Sequence, residues 1–271
     1  MKTLYLDCGM GAAGDMLSAA LLELHPEPEQ FIERLNRLGI PKVEFQAETA
    51  VKCGITGTHM TVKVDGMEEV SADHHEEAHH HEHHHEHSHE EGHSHGHHHE
   101  HHNMQSITAI VGNLDIPEEV KKDILAVYDL IAQAESHVHG RPVDEIHFHE
   151  VGSMDAVADV TAVCLLMHEL EPERVVASTV HVGSGHVHCA HGILPVPAPA
   201  TAFILQGLPI YSGVIKGELC TPTGAALLKH FVTEFKEMPV MRTAAIGYGM
   251  GKKDFERANC VRVLLGETEE N

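Results

Sequence analysis

From Asp73 to His102 the chain offers nothing from which a core could be built: 17 histidines, eight acidic residues and no apolar side chain larger than that of Ala78. A segment of this kind cannot bury enough surface to offset the entropy of ordering it, so it is expected to be a disordered insertion. The flanks, residues 1–72 and 103–271, must then complete one domain around it. Neutral imidazoles in such number bind nickel, zinc, cobalt or copper, with affinity set by ligand type and metal supply rather than by rigid geometry. His81, His83, His85, His97 and His99 stand for that set. The internal position, the interleaved glutamates and the continuous flanks separate this run from a purification tag.

Charge and cysteine usage narrow the function further. The formal net charge is −23 over 271 residues, which argues against nucleic acid and anionic membrane as partners, since both need a basic surface. No window is long and apolar enough to span a bilayer. Six cysteines, at 8, 53, 164, 189, 220 and 260, form no Cys-x-x-Cys pair and suit a reducing compartment. Asp7 ends the first apolar run far short of a signal peptide, so a cytoplasmic location is expected.

The ordered chemistry is densest at His147-Phe148-His149-Glu150-Val151-Gly152. If residues 146–151 are extended, His147 and His149 share one face, Phe148 takes the other, and the pair can grip one metal with Glu150 beside it. Gly152 then ends the run, Ser153 caps, and Asp155 and Asp159 fall four apart on one face of a helix over about 153–169. A second His-x-His follows at His186-Val187-His188, with Cys189 next to it and His191 shortly after. Nickel and zinc both accept that donor set, although a turn rich in small polar residues would look the same. The two pairs bracket one helix and could converge across adjacent strands.

Several stretches could hold an anion. Asp7 closes a strand at residues 3–6, where open α/β sheets place their sites, and the loop through Gly11 and Gly14 leads into a helix whose free N–H groups suit phosphate. A plain tight turn, with Asp15 favouring the helix start, explains the same residues. Thr221-Pro222-Thr223-Gly224 reads as a helix cap or as a second phosphate cradle. Gly247 to Asp254 reads as a flexible glycine turn, from which Lys252 or Lys253 could meet a phosphate or simply be solvated. Helices over about 28–38, 104–112 and 117–136, and a strand pair over 42–51 and 58–64, complete an α/β pattern. The expected architecture is a mixed sheet with packed helices, with α+β as the alternative.

Taken together these residues resemble the nickel-insertion proteins called LarC. The resemblance rests on Asp7 with Gly11-x-x-Gly14-Asp15-Met16, on His147 to Gly152 with Asp155, and on His191-Gly192-x-x-Pro195-x-Pro197-x-Pro199-Ala200-Thr201. It continues in Glu218-x-x-Thr221-Pro222-Thr223-Gly224 and in Gly247-Tyr248-Gly249-x-Gly251, and the His-rich insertion is shared by many members. The resemblance implies placement of Ni(II) into a pyridinium mononucleotide bearing two thiocarboxylates, through two Ni–S bonds and one Ni–C bond, to form the nickel-pincer cofactor of lactate racemase. It adds Asp155 to the metal set. Glu150, as both ligand and base, and Asp7 are the catalytic candidates, with Gly11, Gly14, Thr221, Thr223, Gly224 and Lys252 holding the nucleotide. Family members carry a further C-terminal domain, and CTP hydrolysis with a divalent cation is expected only with it. That domain, lactate racemase and a homo-oligomer are the expected partners. The competing functions are a nickel-storing metallochaperone and a zinc-dependent hydrolase built on His147 and His149.

Overall fold

The computed structural model describes residues 1–68, 102–148, 150–189 and 191–269, with Glu150 described in its backbone only. The expected tract therefore lies almost wholly outside the described residues, as does His149. In chain order, strand β1 (Lys2–Asp7) leads into helices α1 (Gly14–Leu22) and α2 (Pro28–Arg37), followed by β2 (Val43–Lys52), β3 (Ile55–Val64) and β4 (Met67–Glu68). Beyond the tract come α3 (Met104–Gly112), α4 (Glu118–His139) and α5 (Met154–Leu170). The next strands are β5 (Arg174–Ala177), β6 (Val180–His181), β7 (Gly183–Ser184), β8 (His186–Cys189) and β9 (Gly192–Pro195). Then follow α6 (Pro199–Ile204), β10 (Ile210–Tyr211), β11 (Gly217–Glu218), α7 (Pro222–Phe231), β12 (Glu234–Phe235), β13 (Met241–Met250) and β14 (Cys260–Thr268).

Local chemistry explains many of these boundaries. α2 starts on Pro28, whose fixed φ suits a first turn, and stops where Gly39 takes a φ of +78°. β2 and β3 are joined by Cys53 and Gly54, both at positive φ, the backbone that a two-residue hairpin turn demands. α3 begins with a reciprocal capping box between Asn103 and Ser106.

One mixed sheet collects strands from both flanks of the tract, in the order β12-β5-β1-β14-β13-β3-β2, with β4 paired on β3. β5 and β12 run parallel to β1, while β14 lies antiparallel between β1 and β13. Alternation assigns the two faces. Leu4, Leu6, Val261 and Val263 enter the main core with α1, α4 and α5, whereas Tyr5, Val176 and Leu264 form a small cluster on the opposite face. The fold is thus mixed α/β, as expected.

The glycine-rich stretch from Gly247 departs from the expectation. Gly247 to Met250 are strand, not turn, and a Cβ at Gly249 would sit 1.8 Å from the Met16 carbonyl. Those glycines are there so that α1 can lie directly on β13. Two further differences are local. The valine-rich run over 174–182 breaks into β5 and β6, and Glu150–Gly152 forms a 3-10 turn rather than extending a strand.

Candidate functional site

Two loops interlock at the C-terminal end of β1. Ala12 donates to the Leu219 carbonyl, and its own carbonyl accepts from Thr221 N, so the approach to α1 and the approach to α7 form one backbone bridge. Gly11, at φ +79°, has the Leu219 carbonyl 1.9 Å from where a Cβ would stand, and Gly224 has the Ala12 carbonyl at 2.1 Å. Thr221 caps α7 by accepting from Gly224 N at 3.1 Å, and its hydroxyl meets that of Thr223 at 3.0 Å. The four residues assigned to nucleotide binding here are therefore brought together, and packing and capping account for all of them. Gly11→Ala should combine a left-handed φ with a backbone clash and cost at least about 3 kcal/mol, seen as a lowered denaturation midpoint. A wild-type midpoint would show that the bridge yields easily.

Gly14, the fifth member of that set, opens onto something else. A Cβ there would lie 2.7 Å from the Cβ of Asp159 and 2.9 Å from its Oδ2. This brings the start of α1, with Asp15, against the first two turns of α5, with Asp155 and Asp159. Asp155 Oδ1 and Asp159 Oδ1 are buried without a hydrogen-bond partner, as is the hydroxyl of the fully buried Tyr128 on α4. Burial holds the Asp159 carboxyl well above the ordinary carboxylate range, and the charges of Asp15 and Asp155 push the same way. Asp15 is raised by burial too, against the pull of His59 and Lys252. Burial also raises the Tyr128 hydroxyl, with Asp155 and Asp159 adding to it. Asp15, Asp155 and Asp159 thus act electrostatically on one another, with the ammonium of Lys252 nearby; its nitrogen is 2.8 Å from Glu68. Lys252, expected to meet a phosphate, is here paired with the Glu68 carboxylate.

The histidine motif lies on the approach to α5. Phe148 is fully buried, its ring tilted against that of Tyr128 with centroids 5.9 Å apart and its N–H bonded to the His102 carbonyl, while His147 is exposed. The alternation expected of 146–148 is present, and its buried member ties the loop to the tyrosine beside the acids. His186 and His188 are both exposed on β8, which pairs with β9 and not with the His147 segment. Among the described residues, then, His147 and the pair on β8 do not share adjacent strands, while His149 lies outside the described residues. Cys189 Sγ donates to the Gly192 carbonyl at 3.4 Å. His191 instead meets His139, the last residue of α4, with ring centroids 4.9 Å apart, and His139 Nε2 lies 3.2 Å from Glu135. Among the described residues no three His, Cys, Asp or Glu side chains are gathered closely enough to hold one ion.

Asp7 ends β1 as expected but is engaged. Its Oδ2 accepts from Arg262 at 2.6 Å and its Oδ1 from Gly9 N at 3.2 Å. The sequence reading did not include Arg262 and Tyr128. Neither has a local signal, since each is matched to its partner only by strand register or helix packing.

With this geometry established, relatives become informative. A family model described as nickel insertion protein matches residues 4–271. A pyridinium-3,5-bisthiocarboxylic acid mononucleotide nickel insertion protein of Clostridium kluyveri is 40% identical over 270 residues, covering 99% of this chain and 63% of that protein. Proteins of the same name in Clostridium acetobutylicum and Staphylococcus epidermidis are 43% and 37% identical, each over 99% of this chain and over 65% and 60% of their own lengths. No solved structure matches. The chain belongs to the nickel insertion protein family. It spans less than two thirds of the length of these curated relatives.

Proposed function

We propose that this chain gathers Ni(II) and presents it for insertion into pyridinium-3,5-bisthiocarboxylic acid mononucleotide, the substrate in the names of its relatives. The observation that carries this reading is the pair of buried, unpartnered oxygens of Asp155 and Asp159 beside Asp15. Buried carboxylates without donors favour either a proton or a cation, so the junction of α1 and α5 attracts positive charge. Ni(II) is the cargo. Imidazoles of the tract and of His147, His186, His188 and His191 exchange it stepwise for its water, Cys189 adds a sulfur donor, and His149, Glu150 and Asp155 receive it. Formation of the Ni–C bond releases a ring proton as the metal takes its place, and the two sulfurs supply the other bonds. Glu150 is the proposed acceptor of that proton. CTP with its divalent cation, and the lyase or chelatase class of the reaction, belong to this proposal only for the longer protein that includes the C-terminal domain.

The test uses the full-length protein with nickel, the dithiocarboxylate nucleotide and CTP, following the absorption of the product. Replacing Asp155 and Asp159 together by asparagine should lower insertion about 100-fold or more, because the pair supplies the cation's local charge. Undiminished insertion by the double variant would sink the role given to this junction. Normal insertion by protein lacking the tract, together with loss in the double variant, would separate delivery at a fixed site from mere storage.

A further inference from the structure

Three side chains form a ladder on the face of the sheet turned away from α1. Asp7, Arg262 and Tyr248 are consecutive cross-strand neighbours on β1, β14 and β13. Gly247 and Gly249, on either side of Tyr248, press against α1, so the tyrosine points the opposite way. The ladder borders an open cavity of about 280 Å³ that Gly9, Met10, Ile55, Ala258 and Cys260 also line. Met10 is fixed from behind by Ile215, Leu219 and Phe255, which gives the cavity a firm apolar wall.

The charges in this wall are paired but not exhausted. The Arg262 guanidinium is bonded to Asp7 at 2.6 Å through one nitrogen, and the side chain is still 43% exposed. A ligand of one charge sign would be attracted by one member of the Asp7–Arg262 pair and repelled by the other. A flat ring that is itself cationic and carries an anionic substituent satisfies both. Its ring can lie on Tyr248 with the positive charge toward Asp7, while the substituent takes the exposed guanidinium N–H groups that Asp7 does not use. Apolar Met10 and Ile55 cover the ring edges. The volume suits a substituted ring and leaves a sugar phosphate to extend outward.

We propose that this cavity binds the pyridinium ring of a pyridinium carboxylate or thiocarboxylate mononucleotide, with Tyr248, Asp7 and Arg262 as its recognition groups. The assignment rests on the nickel-insertion reading for its choice of substrate, and it moves nucleotide recognition away from Gly11, Gly14 and Thr221. The two regions share one end of the sheet: Asp7, Gly9 and Met10 line the cavity, and Gly14 adjoins Asp159. Tyr248 and Lys252 divide in the same way along the other segment.

Nicotinic acid mononucleotide is the probe, added to the metal-free chain with chelator present, and adenosine monophosphate is the control because it has the sugar phosphate without the cationic ring. Calorimetry should show the pyridinium nucleotide binding at least about tenfold more tightly than the control, and Arg262→Gln should remove at least about tenfold, the worth of one hydrogen bond to a charged group. Ile55→Trp, at a rim position 39% exposed, should fill the cavity and weaken binding equally without touching the ladder. That variant decides the matter should R262Q fail to fold. Equal binding of the two nucleotides, or undiminished binding by I55W, would overturn the assignment. Nickel takes no part in this measurement, so pyridinium binding without insertion would remove the functional reading and keep the cavity, and insertion without pyridinium binding would do the reverse.

Discussion

Protein lacking residues 73–101 should lose most of its bound nickel and still melt within about 2 °C of the intact chain, the range expected when no core or buried pair is altered. The cut leaves Met67 and Glu68 paired on β3 and spares His102, whose carbonyl accepts from Phe148 N at 2.8 Å. It removes polar and charged residues only, apart from Ala78 and two glycines. Nickel per chain after equilibrium dialysis, with a calorimetric melt of the same sample, provides both readouts. An unfolded deletion protein would mean that the segment completes the core. Unchanged nickel content would mean that the remaining histidines are the store. Acid adds a second criterion, because an imidazole ligates only when neutral and its ordinary pKa is about 6.5. Nickel lost with the tract should be the fraction that intact protein releases between about pH 7 and pH 5, while metal held with an anionic ligand stays longer.

What the sequence revealed and what it concealed divide along a physical line. The α2 stop at Gly39, the β2–β3 pair and the Thr221-Pro222 cap were legible because a residue and its near neighbours decide each of them. So was the shared face of Asp155 and Asp159, which needs only the helical period. The reason for a glycine was not legible when the missing Cβ makes room for a partner far along the chain. Gly14 clears Asp159, Gly224 clears Ala12, and Gly249 clears Met16, and this last approach made a central strand look like a loop. Arg262 and Tyr128 were missed for the same reason. The contact of His191 with His139 follows from where α4 ends, which periodicity sets only to within a turn.

Metal-free protein should lose stability as pH rises from about 4 toward 8, and Asp159→Asn should flatten much of that slope. Burial and the charges of Asp15 and Asp155 raise the Asp159 carboxyl, opposed by Lys252 and by the backbone N–H of Asp15. Between the unfolded value near 4 and the raised native value, the folded chain keeps a proton that the unfolded chain has released. The stabilising contribution is therefore complete below the unfolded pKa and fades as pH climbs to the native one, by about 1.4 kcal/mol for each unit of separation. Asp15 and Asp159 face each other, so the proton belongs to the group of acids rather than to one residue. Asparagine keeps the shape and removes the charge, which should leave D159N equal to wild type near pH 4 and more stable near pH 8. A divalent cation supplies the alternative to the proton: nickel added at pH 8 should raise the wild-type melting temperature and move that of D159N far less. Parallel pH curves for the two proteins would mean that water or a rearrangement relieves the carboxylates in solution. An equal response to nickel would place the stabilising ion elsewhere, at the imidazoles of His139 and His191 or in the tract.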